Sequence, residues 1–274
     1  MSVTRDLNLR SGDIHESLGI LLMQTVSAVA TISRTEDVGI DAICTLLEPR
    51  GRTARADRTL YLQIKAQSKD KICLPRTEFI WLSELELPFF YGVVNRKNNS
   101  ISIYSIEKAV QRYHPLNSYD FESCTFVFSD GVSDDHNNIF LGPPIVVWDL
   151  SDTYKNPTKS SEIFKLLTSW VNFSSENIFL RKQGINLKGE WQTGEPPKRI
   201  GSSVSSNNVP LNAQRFVENI LPIALQAKFL NDMEIFKNIE SLLGLIKSRG
   251  LLSSSETEDT SSLYHVLLQV LRES

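Results

Sequence analysis

From residue 11 onward, apolar residues recur at helical spacing at Ile14, Leu18, Leu21 and Leu22. Ser11 is placed to cap this helix, and Asp13 sits near the positive end of its dipole. His15 and Glu16 fall in the first turns. Residues 28–33 are small or β-branched and read as a short strand; 36–39 form a turn in which Gly39 is free to take a positive φ; 40–47 form the next strand. A turn signal, Pro49-Arg50-Gly51-Arg52, precedes alternation over 59–67. There Leu60, Leu62, Ile64 and Ala66 face one way and Tyr61, Gln63, Lys65 and Gln67 the other. These are two antiparallel strands joined by an Arg-rich loop.

After an irregular stretch containing Trp81, residues 89–94 read as a buried strand, and Asn98-Asn99 turns it into a partner at 100–106. A short helix is expected at 106–113 and a strand at 145–148. Beyond Leu150 strand signals fade. Ile163, Phe164, Leu167, Trp170 and Val171 mark an amphipathic helix starting near Ser160, and the Ser- and Asn-rich stretch 201–210 reads as a linker. Helical patterns follow at 213–228 and 232–249. The second has Asn231 and Glu234 in capping-box positions, Ile235, Ile239, Leu242 and Ile246 on one face, and Gly250 at its stop. A last helix carries Leu263, Val266, Leu267 and Val270. The expected organisation is a domain over 1–150, a helix and irregular connection over 151–210, and a helical assembly or partner-binding region over 211–274.

Composition narrows the class. The 274 residues are 41 % hydrophobic and 22 % charged with a formal charge of -3, which describes a globular chain and excludes an indiscriminate basic nucleic-acid coat. Cys44, Cys73 and Cys124 have no CxxC pairing and read as reduced core or half-core residues. The first ten residues lack the apolar stretch of a signal peptide, and no apolar run is long enough to cross a bilayer, so a cytoplasmic location is expected.

The polar residues that interrupt the N-terminal half come in an informative order: Glu16 on a helix, Asp41 after a glycine turn, then Gln63-Ile64-Lys65 on the following strand. Residues two apart on a strand share a face, so Gln63 and Lys65 project together, and Asp41 joins them if its strand lies alongside. This set, with the further strand at 90–94, resembles the PD-(D/E)XK nuclease superfamily over residues 11–110. It is most similar to the small nuclease domains of prokaryotic antiphage effectors, with their Glu on the first helix, Gly-x-Asp turn and Gln-x-Lys strand.

The resemblance implies an α/β fold: a restriction-endonuclease-like mixed central sheet flanked by helices, here followed by an α-helical C-terminal region. It implies Mg²⁺- or Mn²⁺-dependent hydrolysis of DNA phosphodiester bonds, with Glu16, Asp41, Gln63 and Lys65 as catalytic residues. The metal would be held by Glu16, Asp41, the Gln63 amide oxygen and the Ile64 carbonyl, all hard oxygen ligands. Lys65 would orient or help deprotonate the attacking water and offset transition-state charge. Gln63 replaces the acid of the commonest pattern, which lowers metal affinity unless Glu36 or Asp37 swings in. Gln67 is a substrate contact or a support for the site, and His15 either approaches the phosphate or is merely solvated.

Each residue also has a plainer reading. Glu16 can be an ordinary helix carboxylate, Asp41 a turn residue, and Gln63 with Lys65 the wet face of a half-exposed strand. Arg50, Arg52, Arg55 and Arg58 suit backbone phosphates, because the guanidinium fork pairs with them without reading bases; a solvated hairpin tip is the alternative. Charge is uneven: residues 50–76 hold eight basic and two acidic side chains, whereas 1–49 hold three and seven. Asp130, Asp134, Asp135 and His136 do not match a calcium loop and read as surface. No phosphate-binding glycine loop is present, so any ATPase needed would be a separate subunit. The C-terminal helices must bury their apolar faces in this chain, in a homo-oligomer or on a separate ATPase or sensor subunit. Two further readings remain: a degenerate nuclease fold serving as a binding or assembly subunit, and RNA cleavage by the same site.

Overall fold

In the computed structural model, the residues described are 7–32, 39–113, 121–131, 138–154, 156–182 and 184–204, with 220, 222–227, 229–230, 234–235, 237–239 and 241. The chain runs α1 (Leu7–Gln24), β1 (Ser27–Thr31), β2 (Ala42–Arg50), β3 (Thr53–Ala66), β4 (Lys71–Pro75), α2 (Arg76–Glu84), β5 (Phe89–Asn95) and β6 (Ser100–Ser105). It continues through α3 (Glu107–Arg112), β7 (Ser123–Val127), β8 (Asn138–Phe140), β9 (Val146–Asp149), α4 (Leu150–Tyr154), α5 (Pro157–Arg181), β10 (Ile185–Glu190) and β11 (Lys198–Val204).

The alternation over 60–66 decides how the main sheet is covered. Leu60, Leu62 and Ile64 point to one face, where α1 and α5 bury Leu22, Met23, Ile163, Phe164, Leu167 and Trp170 against them. Tyr91 and Val93 point to the other face and meet Phe79 and Leu82 of α2, Val110 of α3 and Phe126 of β7. The sheet order is β1-β2-β3-β5-β6-β9. All neighbours are antiparallel except β3 and β5, which run parallel. A parallel pair needs a crossover, and β4 with α2 provides it. β4 then pairs with β7, and β7 with β8, in a second sheet, while β10 pairs with β11. The general α/β class with a mixed central sheet and flanking helices is therefore as expected. Close approach of α1 to the sheet depends on Gly19, since a Cβ there would lie 2.9 Å from the Ile64 side chain.

Several elements differ from the sequence expectation. α1 starts at Leu7, so Ser11 is inside it rather than at its cap. The expected Arg-rich loop is a tight hairpin, because the β2–β3 ladder continues to Arg50 opposite Thr53. The irregular stretch around Trp81 contains α2, whose nine residues bury only Phe79 and Leu82 and so give little periodicity. β4 buries only Leu74, too few positions for an alternation signal. Strand structure also continues past 150 in β10 and β11, whose residues are mostly polar.

By internal contacts the chain divides into residues 1–178 with 186–202, and 179–185 with 203–274. The expected boundary at 150 falls before α5, whose apolar face is part of the first unit's core. Described residues of the second unit after 219 are helical, in keeping with the C-terminal pattern. Glu36, Asp37, Asp134, Asp135, His136, Asn231, Leu242, Ile246, Gly250 and the last expected helix lie outside the described residues. Asp130 is exposed and pairs with Lys108 at 3.9 Å. Among the described residues no helix is long and apolar enough to cross a membrane.

All three cysteines are free; Cys44 and Cys124 are buried, but Cys73 is exposed rather than in the core. Burial pushes the Cys44 thiol up to about 12, slightly opposed by a hydrogen bond with Ser27. Burial, and then the charges of Cys73 and Glu78, push Cys124 to about 12. Iodoacetamide at pH 8 should therefore modify native protein at Cys73 alone, as mass spectrometry of the digest would show; labelling of Cys44 or Cys124 without denaturant would contradict their burial. Since both folded values lie above the ordinary 9.0, the stability these thiols contribute is complete below pH 9 and is lost as pH rises towards 12.

Candidate functional site

Asp41 is fixed on three sides. Its backbone N–H donates to the Leu62 carbonyl and its own carbonyl accepts the Ile32 N–H, each at 3.0 Å. Its carboxylate Oδ2 accepts the Ile64 backbone N–H at 2.5 Å. The ladder ends with Ala42 opposite Leu62; Asp41, one residue before β2, keeps its backbone bond to Leu62 and reaches Ile64 with its carboxylate. A charged acceptor on a backbone donor makes a strong bond, which holds this carboxylate beside the Gln63-Ile64 peptide.

Gln63 is only 8 % exposed. Gly39, at φ +86°, keeps the adjoining space open: a Cβ there would stand 3.7 Å from Gln63 Nε2, 3.7 Å from the Trp81 ring and 3.9 Å from Glu78 Oε1. The positive φ expected for Gly39 is thus present, and so is the reason for an absent side chain. Lys65 lies two residues along β3 on the Gln63 face and is half-buried. Ile64 points the opposite way, into the core beneath α1.

The structure therefore brings Asp41, Gln63 and the Ile64 backbone together, with Lys65 on the same face. Glu16 comes from α1, on the other side of the sheet. It continues the stripe of Gly19, Ile20 and Met23 at i, i+3, i+4 and i+7, and is half-buried. Among the described residues no three His, Cys, Asp or Glu side chains are grouped closely enough to hold a metal. The donors present beside Asp41 are a carboxylate, an amide oxygen and backbone carbonyls. Such hard oxygen ligands fit Mg²⁺ or Mn²⁺, with water filling the remaining positions.

Two neighbours escaped the sequence reading. Glu78 lies in the first turn of α2, and its carboxylate, like the Gln63 amide, comes within 4 Å of the Gly39 Cβ position. Tyr91 is the β5 partner of Gln63, is 0 % exposed, and has a hydroxyl with no hydrogen-bond partner among the described residues. Burial, and after it the negative charges of Glu78, Cys124 and Asp41, push that hydroxyl far above its ordinary value. Tyr91 stays neutral at any working pH.

Gln67, expected on the strand, lies just past it. It follows the end of β3, donates its N–H to the Val94 carbonyl, and with His15, Arg96 and Lys97 lines an open cleft of about 540 Å³. The arginines are also displaced from expectation. Arg50 ends β2, Arg52 lies in the turn, and Arg55 and Arg58 are residues of β3, all exposed. At about 3.3 Å per strand residue, Arg58 is roughly 17 Å and Arg55 roughly 26 Å from Gln63. They form a ribbon-like arm reaching away from Asp41 rather than a loop beside it. Arg50 pairs with Glu48 at 2.8 Å and Arg58 with Asp57 at 3.9 Å, so part of the arm's charge is balanced locally.

Comparison with protein-family models, with curated proteins and with solved structures finds no match to this chain.

Proposed function

We propose that the protein is a Mg²⁺- or Mn²⁺-dependent endonuclease of PD-(D/E)XK type, cutting the backbone of double-stranded DNA as an effector in prokaryotic antiphage defence. The observation that carries this reading is the Asp41 carboxylate locked to the Ile64 N–H where β2 leaves β3, with Gln63 and Lys65 on the adjoining face. The element order supports it as well: α1 with Glu16, the Asp41 strand, the Gln-x-Lys strand and the further strand β5 follow in sequence around one mixed sheet.

In this reading Asp41, Gln63 and the Ile64 carbonyl hold the cation, and Glu16, which comes from the other side of the sheet, drops out of the expected ligand set. When bound, such a cation would supply polarisation of the scissile phosphate and a more acidic coordinated water. Lys65 contributes a positive charge beside that phosphate as negative charge builds on it. The arm of Arg50, Arg52, Arg55 and Arg58 grips backbone phosphates at a distance from the cut, and the open cleft with His15, Gln67, Arg96 and Lys97 accepts the strand nearer to it. Phe229 and Leu230 are strongly exposed in the second unit, which supports a role for that region in self-association or in docking a sensor or ATPase subunit.

Full-length protein with Mg²⁺ or Mn²⁺ is expected to nick or linearise supercoiled plasmid, to stop when EDTA is added, and to leave RNA intact. Cleavage of RNA alone would move the reading to a ribonuclease. A second reading, a binding or assembly subunit that keeps a degenerate nuclease fold, is favoured by Gln63 in the acid position and the lack of a three-acid cluster among the described residues. It predicts intact plasmid with either metal, and partner binding that survives Asp41→Ala.

A further inference from the structure

The Gln63 face of the sheet has Asp41 as its carboxylate from the sequence-derived set, and one carboxylate with neutral oxygens is a weak holder of a hard divalent cation. α2 covers that face. Its Glu78 carboxylate comes to 3.9 Å from the Gly39 Cβ position, and Gln63 Nε2 comes to 3.7 Å from the same point. Rotating the Gln63 amide by half a turn puts its oxygen there instead, so both side chains can offer oxygen to one space. Gly39, two residues before Asp41, adds no side chain of its own to that space, and the Trp81 ring, 3.7 Å from the same point, forms its third wall.

An independent observation comes from the neighbouring strand on the same face of the sheet. Tyr91, the ladder partner of Gln63, is 0 % exposed, yet its hydroxyl has no hydrogen-bond partner among the described residues. Buried hydroxyls are rarely left without a partner, and each such case calls for a missing one. After burial, the charges that bear on this hydroxyl are those of Glu78, the Cys124 thiol and Asp41, so two carboxylates lie in its neighbourhood. A hydrated cation between them would neutralise both carboxylates and present a coordinated water to Tyr91.

We propose that Glu78 is a ligand of the divalent cation, so that α2 supplies, beside Asp41 and Gln63, the carboxylate that β3 lacks. Tyr91 is a positioning residue, holding a metal-bound water. The inference rests on the metal-dependent reading above and refines its ligand set.

The test is Mn²⁺ binding to full-length protein, read by calorimetry and by loss of the free-ion paramagnetic signal, with no nucleic acid present. Glu78→Gln should weaken binding by about ten-fold or more, the range seen when even the supports of metal ligands are removed. Gln63→Glu in the Glu78→Gln background should recover most of that loss, since it returns the acid from β3 to the same ion. Metal-free melting temperatures close to wild type would show that both variants fold. Glu78→Gln binding within two-fold of wild type would overturn the inference, as would a well-folded double variant that stays as weak as the single one. Wild-type protein that cuts plasmid while Glu78→Gln binds and cuts equally well would sink this ligand assignment alone. Glu78-dependent binding without cleavage of any nucleic acid would sink the nuclease reading and leave the metal site standing.

Discussion

On the nuclease reading proposed above, Lys65→Ala is expected to lower metal-dependent cleavage of DNA by about 10²–10⁴-fold, the range for removing a group that moves a proton or stabilises transition-state charge. The loss should appear in the single-turnover rate at saturating DNA and hardly at all in duplex affinity, because one ammonium adds little to binding through many phosphates. The fold should tolerate the change: Lys65 points away from the core that Ile64 enters, and β3 keeps its backbone ladder to β5. Lys65→Arg keeps the charge but replaces a compact ammonium with a planar fork, so partial activity at best is expected. In cells, the Ala variant should lose any protection against phage while accumulating to the wild-type level. Cleavage by Lys65→Ala within three-fold of wild type would remove Lys65 from the chemistry.

The sequence is legible at Lys65 because the alternation of Leu60, Leu62 and Ile64 against Tyr61, Gln63 and Lys65 specifies both the strand and its faces without long-range information. Gly39 and the Asn98-Asn99 turn are legible for the same reason, since each states a local backbone requirement; Gly39 has φ +86° and Asn99 φ +49°. Asp41 was legible as a candidate but not as a fixed carboxylate, because its hydrogen-bond partner lies 23 residues further on.

Glu78 and Tyr91 were hidden for different reasons. Glu78 belongs to a helix that buries two residues in nine, leaving no periodicity to reveal which side faces the sheet. Tyr91 sits in a run, Phe89 to Val94, that is buried throughout, so neither face stands out and a polar tip has no visible significance. The Arg-rich segment misled through its composition. Polar residues suggested a loop, but strand pairing is set by register with β2, and the ladder carries the arginines out along the strand, away from the residues they adjoin in sequence.

Ending the chain after residue 150 is expected to abolish cooperative unfolding of the first unit, even though every sequence-derived site residue is retained. α5 places Ile163, Phe164, Leu167, Trp170, Val171 and Phe173 in one cluster with Leu62, Ile64 and Phe90. Burying six such side chains is worth on the order of 10 kcal/mol, comparable with the whole net stability of a domain, about 5–15 kcal/mol. Without α5, the face behind Ile64 would lie open to water, and with it the strand that carries Gln63 and Lys65. Trp170 makes the point within the full chain. It is 0 % exposed, its indole N–H donates to the Glu195 carbonyl at 3.2 Å, and its ring meets the Trp191 ring edge-on at 4.9 Å. Trp191 in turn donates to the Pro143 carbonyl at 2.9 Å, so α5, the segment after β10 and the approach to β9 are tied at one place. Trp170→Ala should therefore cost about 3–5 kcal/mol in urea melts of the full-length protein, the range for deleting a large buried aromatic side chain. A cost below about 1 kcal/mol, against that range, would show that α5 is an attachment to the core and not a part of it; so would a fragment 1–150 that melts cooperatively.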